Sequence, residues 1–322
     1  MFGFNGIKLD ASSNEVYVAA GASVSGYMEA GISAGGGANN FINNGDISGN
    51  NESIFVLGNG TQIANNGVLS SPGGFGIDIV GGGNHIQNAG EITAALPINL
   101  STGGADPDSE IVNSGTISAT SGSGSTAIST GNAPATVLNS GLVIGGIQFG
   151  TGADIYNGVR GDILGLVNGG GGADTLKAGD SGETLKGGAA ADLLWSGAGG
   201  DMFVYGAVGE STGTKYDTIT GFDADSDQFD LNVAVKAVNA AVSSGMLRPG
   251  SHFNADLAAA IGTAALKAHD AVLFTAGAGT LKGHTFLIVD ANGTAGYQAN
   301  SDYVIELRHA HNLGDLGAGT FT

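Results

Sequence analysis

Apolar and polar residues alternate in short runs along most of this chain, and Gly, Asn, Ser or Thr interrupt each run after a few residues. Runs of this length predict short strands joined by tight turns rather than helices. In the first half the alternation becomes periodic, as apolar-x-Asn-x-Gly-x-apolar. Copies run from Ile63 through Asn65 and Gly67 to Leu69, and from Ile86 through Asn88 and Gly90 to Ile92. Two more run from Ile111 through Asn113 and Gly115 to Ile117, and from Val137 through Asn139 and Gly141 to Val143. An earlier copy is centred on Asn43 and Gly45, and the five asparagines are spaced by 22, 23, 25 and 26 residues. At roughly 3.3 Å per residue, a coil of that length fits three short strands and their turns. Variable lengths between fixed anchors indicate insertions at one corner of a stacked coil. Stacking would bury the apolar positions and let the asparagine amides ladder along the axis. Glycine after each asparagine suits a turn with positive φ.

A tighter repeat comes next. Residues 169–177, Gly169 to Lys177, fit the nonapeptide GGxGxDxUx, with glycines at Gly170 and Gly172, the acid at Asp174 and the apolar residue at Leu176. Nine-residue steps then give Glu183 with Leu185, Asp192 with Leu194, and Asp201 with Phe203. The large apolar residue of each copy points inward, while the turn offers carbonyl oxygens and a carboxylate, hard ligands that suit Ca²⁺. Ala178, Ser181, Ala190 and Ser196 replace glycines of the pattern, and Glu183 replaces Asp. Gly150, Gly152 and Asp154 form a partial forerunner, so the coils are expected to pass into the roll without a linker.

The first repeat resembles the passenger β-helices of bacterial surface adhesins over residues 16–145. The second resembles the RTX calcium-binding β-roll of type I secreted bacterial proteins. In that family alternate turns stack and share an ion, which implies Asp174 with Asp192 and Glu183 with Asp201. The expected fold is therefore mainly β: a right-handed parallel β-helix over 1–148, an RTX-type β-roll over 149–206, and a small α+β cap over 207–322. Phe2, Phe4, Ile7 and Leu9 read as a cap or an added strand at the start.

The segment Tyr216 to Leu231 resembles the stretch just after the roll in serralysin-type proteins. Its Asp217, Asp223, Asp225, Asp227 and Asp230 offer a further Ca²⁺ site or a solvated acidic loop. Residues 233–247 and 255–268 are Ala-rich, with Leu, Val and Ile at helical spacing, and read as two short helices. Three strands come after them, at 271–275, 285–290 and 303–307. Between the last two, Asp290, Asn292 and Asp302 suggest a calcium loop without a closing bidentate Glu, or a plain hairpin turn.

Composition narrows the function. The 322 residues include 60 glycines and five prolines, which with 42% hydrophobic content favours packed turns and strands over collagen-like chains. The net charge of −19 argues against nucleic acid. Without cysteines there are no disulfides and no thiolate zinc sites, so metal ions are the expected brace. The first residues lack the features of a Sec signal, and no apolar segment approaches the roughly 18–20 residues that span a bilayer. The RTX resemblance implies type I export, extracellular or cell-surface location, and folding in external calcium.

Nothing catalytic stands out. HExxH and GxSxG are absent, and no Lys or Arg lies between Lys8 and Arg160 to serve a lyase on acidic sugars. Asp106, Asp108 and Glu110 are the candidates for a glycoside hydrolase, but with little aromatic wall nearby. His309 and His311 alternate and would share a face if the last strand reached them. The leading expectation is a non-enzymatic, calcium-dependent structural protein that pairs with itself in a surface layer, fibre or biofilm matrix. The alternative is a monomeric adhesin binding cell-surface polysaccharide.

Overall fold

A computed structural model describes residues 5–322; Phe2 and Phe4 lie outside the described residues. The fold is mainly β and is a parallel β-solenoid. The chain divides into two compact units, Met1–Gly171 and Gly172–Thr322.

In the first unit each coil face pairs in parallel with the equivalent face of the next coil. One face stacks Glu15–Val18, Asn40–Asn43, Gln62–Asn65, His85–Asn88, Ser109–Asn113, Ala135–Asn139 and Ile155–Asn157. The apolar residue keeps its place from coil to coil: Phe41, Ile63, Ile86, Ile111, Val137 and Tyr156 are in register and buried. A one-residue slip would turn this whole column to solvent, so the alternation of the sequence sets the register. Two other faces complete each coil, and residues 149–171 form the last three-strand coil of this unit.

The five asparagines form the expected ladder. Each Nδ2 donates to the Oδ1 of the next, at 2.8 Å for Asn43 to Asn65, Asn65 to Asn88, Asn88 to Asn113 and Asn113 to Asn139. The glycine two residues after each asparagine serves a different purpose from the expected one. Gly67, Gly90, Gly115 and Gly141 have ordinary φ. A Cβ there would lie 2.0–2.1 Å from the carbonyl oxygen of the corresponding glycine one coil earlier. Close approach of stacked corners, not positive φ, excludes a side chain.

In the second unit alternate nonapeptides build opposite sheets. Thr175–Lys177, Leu193–Trp195 and Asp217–Thr220 stack in one, and Thr184–Lys186, Met202–Tyr205 and Gln228–Leu231 in the other. Leu176, Leu185, Leu194 and Phe203 all point inward and are fully buried. Phe203, Phe222, Phe229 and Phe321 close the interior with ring centroids 4.7–6.1 Å apart. The first sheet then continues through Tyr303–Arg308, Thr285–Val289, Ala271–Thr275 and Val238–Val242.

The two expected helices need correction. Val238–Val242 is an edge strand paired with Ala271–Thr275, so 233–247 is not helical. Its valines at 233, 235, 238 and 242 are β-branched, and the neighbouring strand rewards that more than alanine spacing rewards a helix. The other helix is shorter and earlier, Phe253–Ala260, ending before Gly262. It lays Phe253 and Leu257 on a core with Leu247, Ile261, Phe274 and Phe286.

Candidate metal centre

The acidic residues of the nonapeptides stand in two columns, each joined by the same device. A carboxylate in one coil accepts the backbone N–H of the acidic residue one coil earlier. In the first column Asp192 Oδ1 accepts Asp174 N–H at 2.8 Å, and Asp217 Oδ1 accepts Asp192 N–H at 2.9 Å. In the second, Asp201 Oδ1 accepts Glu183 N–H at 2.8 Å, and Asp227 Oδ1 accepts Asp201 N–H at 2.9 Å. All six acidic residues are buried. The structure therefore brings together the pairs 18 residues apart, Asp174 with Asp192 and Glu183 with Asp201. In the first unit Asp154 uses the same device, with its Oδ1 accepting Ala135 N–H at 2.7 Å.

Asp217 and Asp227 belong to these columns, one in each; Asp227 shares its turn with Asp223, whose N–H it accepts at 2.9 Å, whereas Asp217 stands apart from that turn. The reason is the strand between them: Asp217–Thr220 and Gln228–Leu231 lie in opposite sheets. Asp225 is exposed, and its N–H binds Asp223 Oδ1 at 3.1 Å. Asn312 Nδ2 donates to Asp223 and holds that carboxyl below its usual range.

The turns are shaped by glycine where the backbone requires it. Gly170 has φ +89 and Gly172 φ +117. Ala190, which takes the place of Gly172 eighteen residues on, keeps that conformation at φ +102. It is a strained position for a residue with a Cβ.

Burial, followed by the charge of Glu210, pushes the Asp192 carboxyl up to about 6 against the pull of Asp174 N–H. Burial likewise raises Asp154 to about 6, with a smaller contribution from Asp108. Asp217 is raised well above its usual value by burial and then by the charge of Asp192. Carboxyls held together in a low-dielectric interior resist ionising unless a cation joins them. Asp192 Oδ2 is buried and has no hydrogen-bond partner. A Cβ on Gly187 would come within 2.4 Å of it, so the carboxyl packs directly on the glycine backbone. A buried, unpartnered carboxylate oxygen in a Gly-rich turn fits a hard divalent cation such as Ca²⁺.

The other candidate groups take hydrogen bonds from their own surroundings. Asp290 Oδ1 accepts Asn292 and Gly293 N–H, and its Oδ2 accepts His269 N–H. Asp302 accepts Ala291 and Gln298 N–H, and Asn292 binds Gln298 and Thr294. These residues pin the connection between two antiparallel strands. The last strand stops at Arg308, and the next residue, His309, has φ +49, so His309 and His311 do not continue a strand face. Glu110 pairs with His85 at 2.8 Å, and Asp106 Oδ2 accepts Gly103 N–H. Among the described residues no group of three or more His, Cys, Asp or Glu gathers into a ready-made metal cluster.

Sequence reasoning missed three features. Ser196 Oγ lies 2.8 Å from Asp201 Oδ2 and 2.7 Å from Asp227 Oδ2. Ser211 Oγ accepts Asp217 N–H and donates to Val304 O, tying the first column to the cap. Glu306, fully buried, accepts from His284, Arg308 and Thr218; burial alone would raise its carboxyl, but these donors hold it low. Ser196 was visible as a break in the glycine pattern, whereas the other two depend on partners some 90 residues away.

No curated protein matches the chain. The family model for Peptidase M10 serralysin C terminal matches residues 35–245. That region of serralysins is a non-catalytic β-roll region whose RTX repeats bind Ca²⁺. With well over half of its length matched, its coils parallel and its acidic residues in columns, the chain belongs to the serralysin C-terminal family.

Proposed function

We propose that this chain is an extracellular, calcium-dependent structural protein that assembles with copies of itself into a surface layer, fibre or biofilm matrix. The observation that carries the calcium part is the first acidic column, with Asp192 Oδ2 buried and unpartnered beside Gly187. External calcium would supply the counter-charge that burial denies these carboxyls and lock the roll. The family is typically secreted by type I systems, and that is the route proposed here. Calcium-poor cytosol would leave the roll loose enough to be exported, and folding would come afterwards, outside.

Assembly is supported by the repetitive build. The coils spend most of the chain on stacked surfaces, and near the corner loops Glu110 pairs with His85 while Asp106 holds its own turn. Parallel coils offer strand edges and long outward ladders that a second copy can match. Leu57 and Val80 sit in register on one outward face, both about half exposed, which suits association better than isolation.

Light scattering and electron microscopy of the purified protein, first in EDTA and then in millimolar calcium, test this reading. Ordered sheets or fibres appearing with calcium are expected. A compact calcium-bound monomer would reject assembly and leave an adhesin that uses its corner loops on polysaccharide.

A further inference from the structure

The two acidic columns of the roll share one backbone device but differ at the remaining oxygens. In the column of Glu183, Asp201 and Asp227, the outer oxygens of the last two carboxyls converge on one hydroxyl. Ser196 Oγ is within 2.8 Å of Asp201 Oδ2 and within 2.7 Å of Asp227 Oδ2. Gly197 N–H also donates to Asp201 Oδ2 at 2.8 Å, and Asp223 N–H to Asp227 Oδ2 at 2.9 Å. The inner oxygens already accept Glu183 N–H and Asp201 N–H. Every oxygen of this carboxyl pair thus faces a donor. N–H groups aimed at an oxygen carry positive charge toward the place a cation would occupy.

The other column is built differently. Asp192 Oδ1 accepts Asp174 N–H, but Asp192 Oδ2 is buried and has no donor. The residue opposite it is Gly187, where the nonapeptide starts, and no side chain intrudes. At the equivalent first position of the next nonapeptide the chain carries Ser196 instead of glycine. The nearby cation Lys186 is engaged with Glu210 at 2.9 Å. A buried carboxylate oxygen without a donor calls for a counter-charge when it ionises, and the turn offers it no side chain that could serve.

We infer that the columns are chemically unequal: Ca²⁺ enters at Asp192, while Ser196 closes the Asp201–Asp227 pair with the protein's own hydroxyl. Asp192 is then a calcium switch on one edge of the roll, and the Asp201–Asp227 pair is a permanent, metal-independent seam on the other. This rests on the calcium reading given above and adds which edge responds to the ion.

The test compares calcium titration calorimetry of the full chain with Asp192→Asn and Asp201→Asn variants. Asp192→Asn is expected to lose the tightest calcium. Asp201→Asn is expected to keep it, with a dissociation constant within about threefold of the parent, or under about 1 kcal/mol. Because either variant can disturb folding, the parent protein labelled with ¹⁵N is titrated as well. Calcium should shift the amides of Asp174 and residues 187–192, and leave those of Ser196 and Gly197 in place. Equal calcium loss in both variants, or equal shifts at both turns, overturns the inequality while leaving calcium binding intact. A parent protein that takes up no calcium overturns the calcium reading itself, and the inference falls with it.

Discussion

At the scale of single residues, Ala190 is the clearest imperfection. It holds φ +102 at a position where the same turn eighteen residues earlier has Gly172. Replacing it with glycine relieves the strained Cβ, so Ala190→Gly should stabilise the folded roll by about 1 kcal/mol. A urea midpoint shift at fixed calcium reads this directly, and no shift would show that the turn relaxes around alanine. Asp192 gives a prediction in pH. Its folded carboxyl, raised by burial to about 6, binds a proton more tightly than the unfolded one near 3.8. Stability from this group is therefore present below that lower value, and is lost as pH rises through about 6 when calcium is absent. Calcium competes with the proton for the same carboxyl, so its binding should weaken as pH falls below about 6 and should release protons there, with the release fading as pH rises above that value. Calorimetry in buffers of different ionisation enthalpy measures that release.

At the scale of the elements, the coils stand or fall on contact between corners. A Cβ on Gly90 would sit 2.1 Å from the backbone oxygen of Gly67, which cannot rotate away. Gly90→Ala should therefore cost about 3 kcal/mol or more, whereas Gly124→Ala, with nothing nearby, should stay within about 0.5 kcal/mol. The asparagine ladder makes a similar prediction. Asn88→Ala leaves buried amide groups of Asn65 and Asn113 without their partner and should cost about 1–3 kcal/mol. These elements were legible because a parallel coil repeats its chemistry every turn, so spacing alone showed Asn43 to Asn139 and Leu176 to Phe203 in phase. Residues 233–247 were not, because helical spacing of alanines is a weak signal against a neighbouring strand that can pair with valines. Nor did spacing separate Asp217 from Asp227. Their columns depend on which sheet the intervening strand joins.

At the scale of the whole molecule, the sequence indicated which carboxyls stack, and the structure adds how each is satisfied. Asp192 and Asp201 look alike in the repeat, yet one has an open oxygen and the other a serine. That difference lies in hydrogen bonds a pattern does not display. The central claim is that calcium completes the acidic column and thereby stabilises the roll. Urea unfolding of the full chain, monitored by circular dichroism in EDTA and in millimolar calcium, tests it most directly. Calcium at about 100 times its dissociation constant should add about 2.7 kcal/mol to the stability of the segment it binds. Unfolding curves that coincide in EDTA and calcium would contradict the account.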